Sequence, residues 1–150
     1  MAFDVCEMKI IELKIDRYDE VLSLMERTPG ISVREADSNE AVTRYLKRND
    51  GFSFVAEIEG EVVACAMSGH DGRRGYLQHV VVDERFRNRG IASMLVDSCL
   101  DKLEGVGIYK SHIDVFVTND LANSYWSSKG WEKRDDIYRY SYNRSDNSNA

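Results

Sequence analysis

The sequence predicts an α/β (α+β) chain with a mixed, mostly antiparallel sheet and one parallel β-α-β step. Three observations predict it. Two tight-turn signals, Glu59-Gly60 and Asp71-Gly72-Arg73-Arg74-Gly75, separate three apolar stretches in the middle of the chain, which makes an antiparallel meander. A strand, a strong helix and another strand then follow between Tyr76 and Val117, and such a unit needs a crossover, so its two strands are parallel. Amphipathic helical patterns lie before and after this centre.

Taken in order, residues 5–13 alternate loosely and predict a strand. Over residues 16–27, Tyr18, Val21, Leu22, Leu24 and Met25 stand at helical spacing, and Thr28-Pro29-Gly30 stops the helix. Ser38 is a good N-cap for a second helix through Arg48, with Ala41, Val42, Tyr45 and Leu46 on one face. Strands are predicted over 52–58, 62–68 and 76–82. In the next helix Ile91, Leu95 and Cys99 line up with Ala92, Val96, Leu100 and Leu103, and Gly105 and Gly107 end it. Residues 112–117 predict a short strand and 120–129 a helix closed by Gly130. Trp131 and residues 138–142, with Tyr138, Tyr140 and Tyr142 alternating, are the final strand candidates.

The chain has 150 residues, 43% apolar and 31% charged, with a single proline. That is an ordinary globular balance, long enough for one core, and excludes collagenous, low-complexity and strongly disordered classes. We expect one domain over 1–144 and a disordered tail over 145–150. The longest apolar runs are about six residues, against roughly 20 for a membrane span. No basic n-region with an apolar stretch opens the chain, so no secretory signal is expected. Cys6, Cys65 and Cys99 are odd in number and far apart, which suggests neither a disulfide framework nor a zinc site and fits a reducing cytoplasm. The formal charge of −6 argues against general nucleic-acid binding. Inside this acidic chain, Arg73, Arg74, Arg85, Arg87 and Arg89 make the stretch from Asp71 to Gly90 locally positive.

The most informative segment runs Val80-Val81-Val82-Asp83-Glu84-Arg85-Phe86-Arg87-Asn88-Arg89-Gly90-Ile91-Ala92. An apolar strand passes through a polar loop directly into a helix. A helix N-terminus presents unpaired N–H groups and a positive dipole end, where phosphate binds readily. Gly90 and Ala92 keep side-chain bulk away from those amides, and Arg87 and Arg89 add charge. This is the pattern of a pyrophosphate site built from backbone. There is no GxxxxGK[ST], and Gly105-Val106-Gly107 follows a helix rather than a strand, so the other glycine-rich phosphate motifs fit worse.

With these residues the chain resembles the GNAT superfamily of N-acetyltransferases. The family signature, Gln/Arg-x-x-Gly-x-Gly/Ala after an apolar strand, stands here as Arg87-Asn88-Arg89-Gly90-Ile91-Ala92 after Val80-Val81-Val82. A second family pattern appears as Asn119, Ala122, Tyr125-Trp126 and Gly130-Trp131. The order of elements also matches, over about residues 5–142. The resemblance implies helices on both faces of the sheet and acetyl-CoA, or another acyl-CoA, as donor, with no metal. It implies that the backbone of Val80, Val81 and Val82 pairs with the pantetheine arm. The amides of Arg87, Asn88, Arg89, Gly90, Ile91, Ala92 and Ser93 would hold the pyrophosphate. Asn119 would position the pantetheine or the acceptor, and Trp126 would wall the thioester site or pack against the sheet.

The reaction this implies is transfer of an acetyl group to a primary amine in a ternary complex. An amine of pKa about 10.4 is only about 0.04% neutral at pH 7, so a base helps. The tetrahedral intermediate needs an N–H donor, for which the resemblance offers Val80 or Val81. The family's usual proton donor is a tyrosine at the position that Trp126 holds here, and an indole N–H is no practical acid. Tyr125, one residue and about 100° earlier on a helix, is the candidate acid or a packed aromatic. The family often places a carboxylate before the phosphate loop, but Tyr76-Leu77-Gln78-His79-Val80 has none. His79 is the candidate base or a satisfied structural histidine, with His112 and Asp114 behind it. Simple alternation puts Gln78 with Val80 on one face and His79 with Val81 on the other. Glu35, Asp37, Glu40, Asp135 and Asp136 read either as a solvated acidic face or as an attraction for an ammonium group. The acceptor is a small-molecule or peptide amine, and a homodimer is compatible with the family. A catalytically silent acyl-CoA-binding sensor or subunit is the alternative reading.

Overall fold

The structure is a computed structural model and describes residues 7–150. Cys6 and the first residues of the strand expected over 5–13 lie outside the described residues. The chain divides into two compact units, one ending at Ile113 and the other spanning Asp114–Ala150.

The first unit is a five-stranded sheet in the order β1-β2-β3-β4-β5. β1 is Lys9–Glu12, β2 Phe54–Ile58, β3 Glu61–His70, β4 Gly75–Val82 and β5 Ser111–Ile113. The first three pairings are antiparallel and β4–β5 is parallel. The meander follows from its turns. Glu59 and Gly60 both take positive φ, 52° and 80°, as a two-residue type I′ hairpin requires. In the next turn Asp71 Oδ1 accepts from the N–H groups of Arg73 and Arg74 at 2.8 and 2.9 Å.

Helices cover both faces. α1 (Tyr18–Glu26) and α2 (Asn39–Arg48) bring Tyr18, Val21, Leu24, Met25 and Val42 onto Leu13, Val55, Cys65, Met67 and Val81. The α2 start is the one the sequence predicts: Ser38 Oγ accepts from the Ala41 N–H at 3.2 Å. On the other face, α3 (Ile91–Gly105) buries Ile91, Leu95 and Cys99 against Ala56, Val63, Ala64, Ala66 and Phe86. A fully buried aliphatic side chain of this size stabilises a fold by about 1.5–3 kcal/mol. Gly75 permits the parallel step: a Cβ there would collide with the Ser111 side chain and meet Leu103 Cδ1 at 2.9 Å.

The second unit holds α4 (Asp120–Ser128). Two strand expectations are corrected here. The strand expected over 112–117 stops at Ile113, and Phe116 and Val117 are exposed. No strand forms over Trp131 or residues 138–142. Tyr138, Tyr140 and Tyr142 are all about nine-tenths exposed, as are their polar neighbours. Alternation marks a strand only when one of the two faces is buried, and here neither is.

Candidate active site

The site begins with an irregularity in β4. Cys65 lies opposite Val81 and Met67 opposite Gln78, so His79 and Val80 together oppose Ala66. This is a β-bulge, which redirects side chains and often marks functional edges. His79 takes φ 44°, a left-handed conformation that costs a non-glycine residue about 1–2 kcal/mol. The bulge corrects the face assignment from simple alternation. Gln78 pairs with Met67 and therefore shares the α1–α2 face with Val81. The β4–β5 ladder ends at Leu77 and Ile113. Beyond it, residues 78–82 make no strand pairing on that side among the described residues.

His79 Nε2 lies 2.7 Å from Asp37 Oδ1. Asp37 sits in a single 3-10 turn, Glu35–Asp37, between α1 and α2. Its other oxygen accepts from the Arg34 N–H at 2.8 Å, and its backbone carbonyl accepts from Tyr18 Oη at 2.5 Å. Burial pulls the Asp37 carboxyl upward, but the bonds to His79 and the Arg34 N–H outweigh it and hold the group below its ordinary value. Tyr18 moves the other way: burial, and then the Asp37 charge, push its phenol up. Asp37 is thus not part of a solvated acidic face. It is 6% exposed, whereas Glu35 and Glu40 are exposed. No sequence signal joins residues 42 positions apart in a 3-10 turn and a bulge.

The loop after β4 is pinned by charge. Asp83, buried at the start of a 3-10 turn over Glu84–Phe86, accepts from the Arg85 N–H at 3.0 Å, from Arg85 Nη2 at 3.0 Å and from Arg27 Nη2 at 2.9 Å. The Arg85 guanidinium, foremost, holds the Asp83 carboxyl far below the carboxylate range. Phe86 anchors the loop in the core, with the Arg85 and Arg89 guanidinium carbons 5.2 and 5.6 Å from its ring centroid. Arg87 Nε donates to the Val82 carbonyl at 3.3 Å. Asn88 and Gly90 take φ 63° and 77°, turning the backbone into α3. Gly90 is the α3 N-cap without a side-chain cap, and a Cβ added there would meet nothing within 4 Å. The space in front of the Gly90 α-carbon is therefore clear of side chains. Ile91 points into the core, while Ala92 and Ser93 are half-buried. A backbone cradle at the start of a 15-residue helix, flanked by arginines, fits a pyrophosphate.

In the second unit Asn119 caps α4, its Oδ1 accepting from the Ala122 N–H at 3.1 Å. Tyr125 is half-buried, edge-on to Trp126 at 5.0 Å, with Lys129 Nζ 5.8 Å from its ring centroid. Trp126 is buried and packs on Trp131 at 4.6 Å. Asp114 is exposed and paired with Arg139 at 2.9 Å. In the first unit His112 stacks beside Tyr76 at 5.8 Å. Burial pushes the Cys65 thiol up to about 12 and that of Cys99 to about 11, so both are inert core residues.

Residues 18–131 match the profile of the acetyltransferase (GNAT) family. The chain belongs to this family. It is 32% identical over 130 residues to the acetyltransferase SG1711 of Sodalis glossinidius, covering 87% of this chain and 91% of that protein. The GNAT fold recurs in the PaiA N-acetyltransferase of Thermoplasma acidophilum, solved with coenzyme A, at a TM-score of 0.77 and 14% identity over 85% of this chain and 91% of the other. It recurs again in the aminoglycoside acetyltransferase meta-AAC0020 from an uncultured soil sample, solved with sisomicin. There the TM-score is 0.76 and the identity 17%, over 95% of this chain and 100% of the other.

Proposed function

We propose that this protein is an N-acetyltransferase that moves an acetyl group from acetyl-CoA to a primary amine by direct transfer in a ternary complex, with residues 1–144 as its acetyltransferase domain. One observation carries the reading: on its β5 side β4 has no strand partner after Leu77 among the described residues, and it runs into a cradle whose N-cap, Gly90, is open in front. Unpaired strand backbone suits an amide-bearing arm, and the cradle suits a pyrophosphate. The coenzyme A held by the PaiA neighbour and the sisomicin held by the aminoglycoside neighbour support a CoA-borne donor and a small-molecule amine acceptor. When bound, acetyl-CoA supplies the activated thioester.

In this reading the backbone of Val80, Val81 and Val82 binds the donor arm, and an N–H of Val80 or Val81 meets the developing oxyanion. The amides of residues 87–93 bind its pyrophosphate, with Arg87 and Arg89 adding charge. His79 takes the proton of the acceptor ammonium. In the second unit Asn119 and Trp126 serve the donor, and Tyr125 carries a proton at Oη for the leaving group. Calorimetric titration with acetyl-CoA, using ATP and NAD as controls, tests the cradle, and thiol release across an amine panel tests the transfer. We expect selective micromolar binding and release with at least one amine class. Folded protein that ignores acetyl-CoA would overturn the reading.

A further inference from the structure

Resting on that reading, we infer that Asp37 is a positioning residue, which fixes His79 as its Nε2–H tautomer and thereby makes Nδ1 the nitrogen that accepts the proton of the acceptor amine.

A neutral imidazole has one donor and one acceptor nitrogen, and an ionised carboxylate only accepts. With Asp37 Oδ1 2.7 Å from His79 Nε2, the hydrogen of a neutral His79 sits on Nε2 and the lone pair on Nδ1. The carboxylate cannot rotate away from this duty. Its second oxygen is held by the Arg34 N–H at 2.8 Å, and its backbone is tied to α1 through Tyr18 Oη. The pair is sheltered as well, with the Asp37 side chain 8% exposed and that of His79 20%. From the other side, the bulge sets the His79 backbone in a left-handed conformation, a strain of the kind that persists where surrounding structure enforces it. In the step itself, an N–H bond of the acceptor ammonium breaks and its electron pair stays on the amine nitrogen. The proton forms a new bond to Nδ1. His79 becomes an imidazolium whose Nε2–H still points at Asp37, so the new charge forms beside a fixed opposite charge. Asp37 takes no proton.

The structure also says what its amide would do. In Asp37→Asn the Arg34 N–H needs the remaining oxygen. The NH₂ group then faces His79 Nε2 as a donor. The imidazole must answer with a lone pair on Nε2 and move its hydrogen to Nδ1, the wrong tautomer for the reaction. A mere clamp between the α1–α2 connection and the sheet would change stability without such a switch.

The experiment is imidazole ¹⁵N NMR on the full chain, with steady-state kinetics on the same samples. We expect wild-type His79 as Nε2–H. Asp37→Asn should carry it as Nδ1–H, with kcat down about 10²-fold and the acetyl-CoA Kd unchanged. Wild-type His79 found as Nδ1–H overturns the inference without need of any variant. Asp37→Asn at the wild-type kcat, while His79→Gln is slow, overturns the Asp37 role alone. His79→Gln at the wild-type kcat overturns instead the reading of His79 as the base.

Discussion

Strand β4 carries two polar regions built on opposite principles. At its bulge the proposed chemistry lies in side chains, His79 and a buried Asp37 brought from 42 residues away. Just beyond its end the proposed chemistry lies in backbone, contiguous from Arg87 to Ser93, and side chains matter there mainly by staying out of the way. The first region depends on which functional group is present. The second depends on which φ angles are allowed.

This contrast can be broken or sharpened by substitution. His79→Gln removes the proposed base and leaves the proposed cradle intact. We expect kcat to fall about 10²- to 10⁴-fold, with the acetyl-CoA Kd unchanged by calorimetry. A matching loss of affinity would mean that the two regions are not separable. Gly90→Val should do the reverse. A β-branched residue at φ 77° costs about 1–2 kcal/mol or more. The Kd for acetyl-CoA should weaken about tenfold or more, while kcat recovers at saturating donor. Retained affinity would show that the left-handed N-cap is not what opens the cradle.

A smaller effect concerns how the loop is held. Asp83 lies far below its ordinary value, so in acid the unfolded chain binds its proton first and folding stability falls with pH. That contribution is fully present above the ordinary aspartate range near pH 4 and is lost progressively below it. Asp83→Asn should cost about 1–3 kcal/mol at neutral pH and make the acid slope of chemical denaturation shallower. Asp37, also lowered, keeps part of that slope. A variant curve parallel to the wild type would remove Asp83 from the account.

What the sequence could reveal follows the same division. The local geometry of the proposed cradle was legible because it is written in consecutive residues, strand then loop then Gly90 then helix. The Ser38 cap and the Glu59-Gly60 hairpin were legible for the same local reason. The His79 bulge was not, because a single extra residue in a period-two pattern leaves no glycine or proline to announce it. The wrong face for Gln78 followed directly. Asp37 looked like any acid in a polar connection, since only tertiary structure joins it to His79. The exposed tyrosines 138, 140 and 142 misled in the opposite direction. Their alternation was real, but a periodic pattern carries no information about whether a partner surface exists.

The short β4–β5 ladder has a kinetic meaning. Strands β2, β3 and β4 pair through two hairpins, contacts whose loop-closure entropy is small. The three residue pairs of the parallel step are different. They form only after the whole of α3 has been threaded across the sheet. That edge therefore closes after the β2–β3–β4 meander. It has the fewest residue pairs of the seams in the sheet, so it is also the first to part in native fluctuation, and its opening leaves the β2–β3–β4 meander intact. Amide protons of Ser111 to Ile113 should exchange ahead of those of β3, which is buried from Val62 to Gly69. The seam that yields most easily adjoins the strand where the donor is proposed to lie, so a ligand there can come and go through local breathing while the core stays closed.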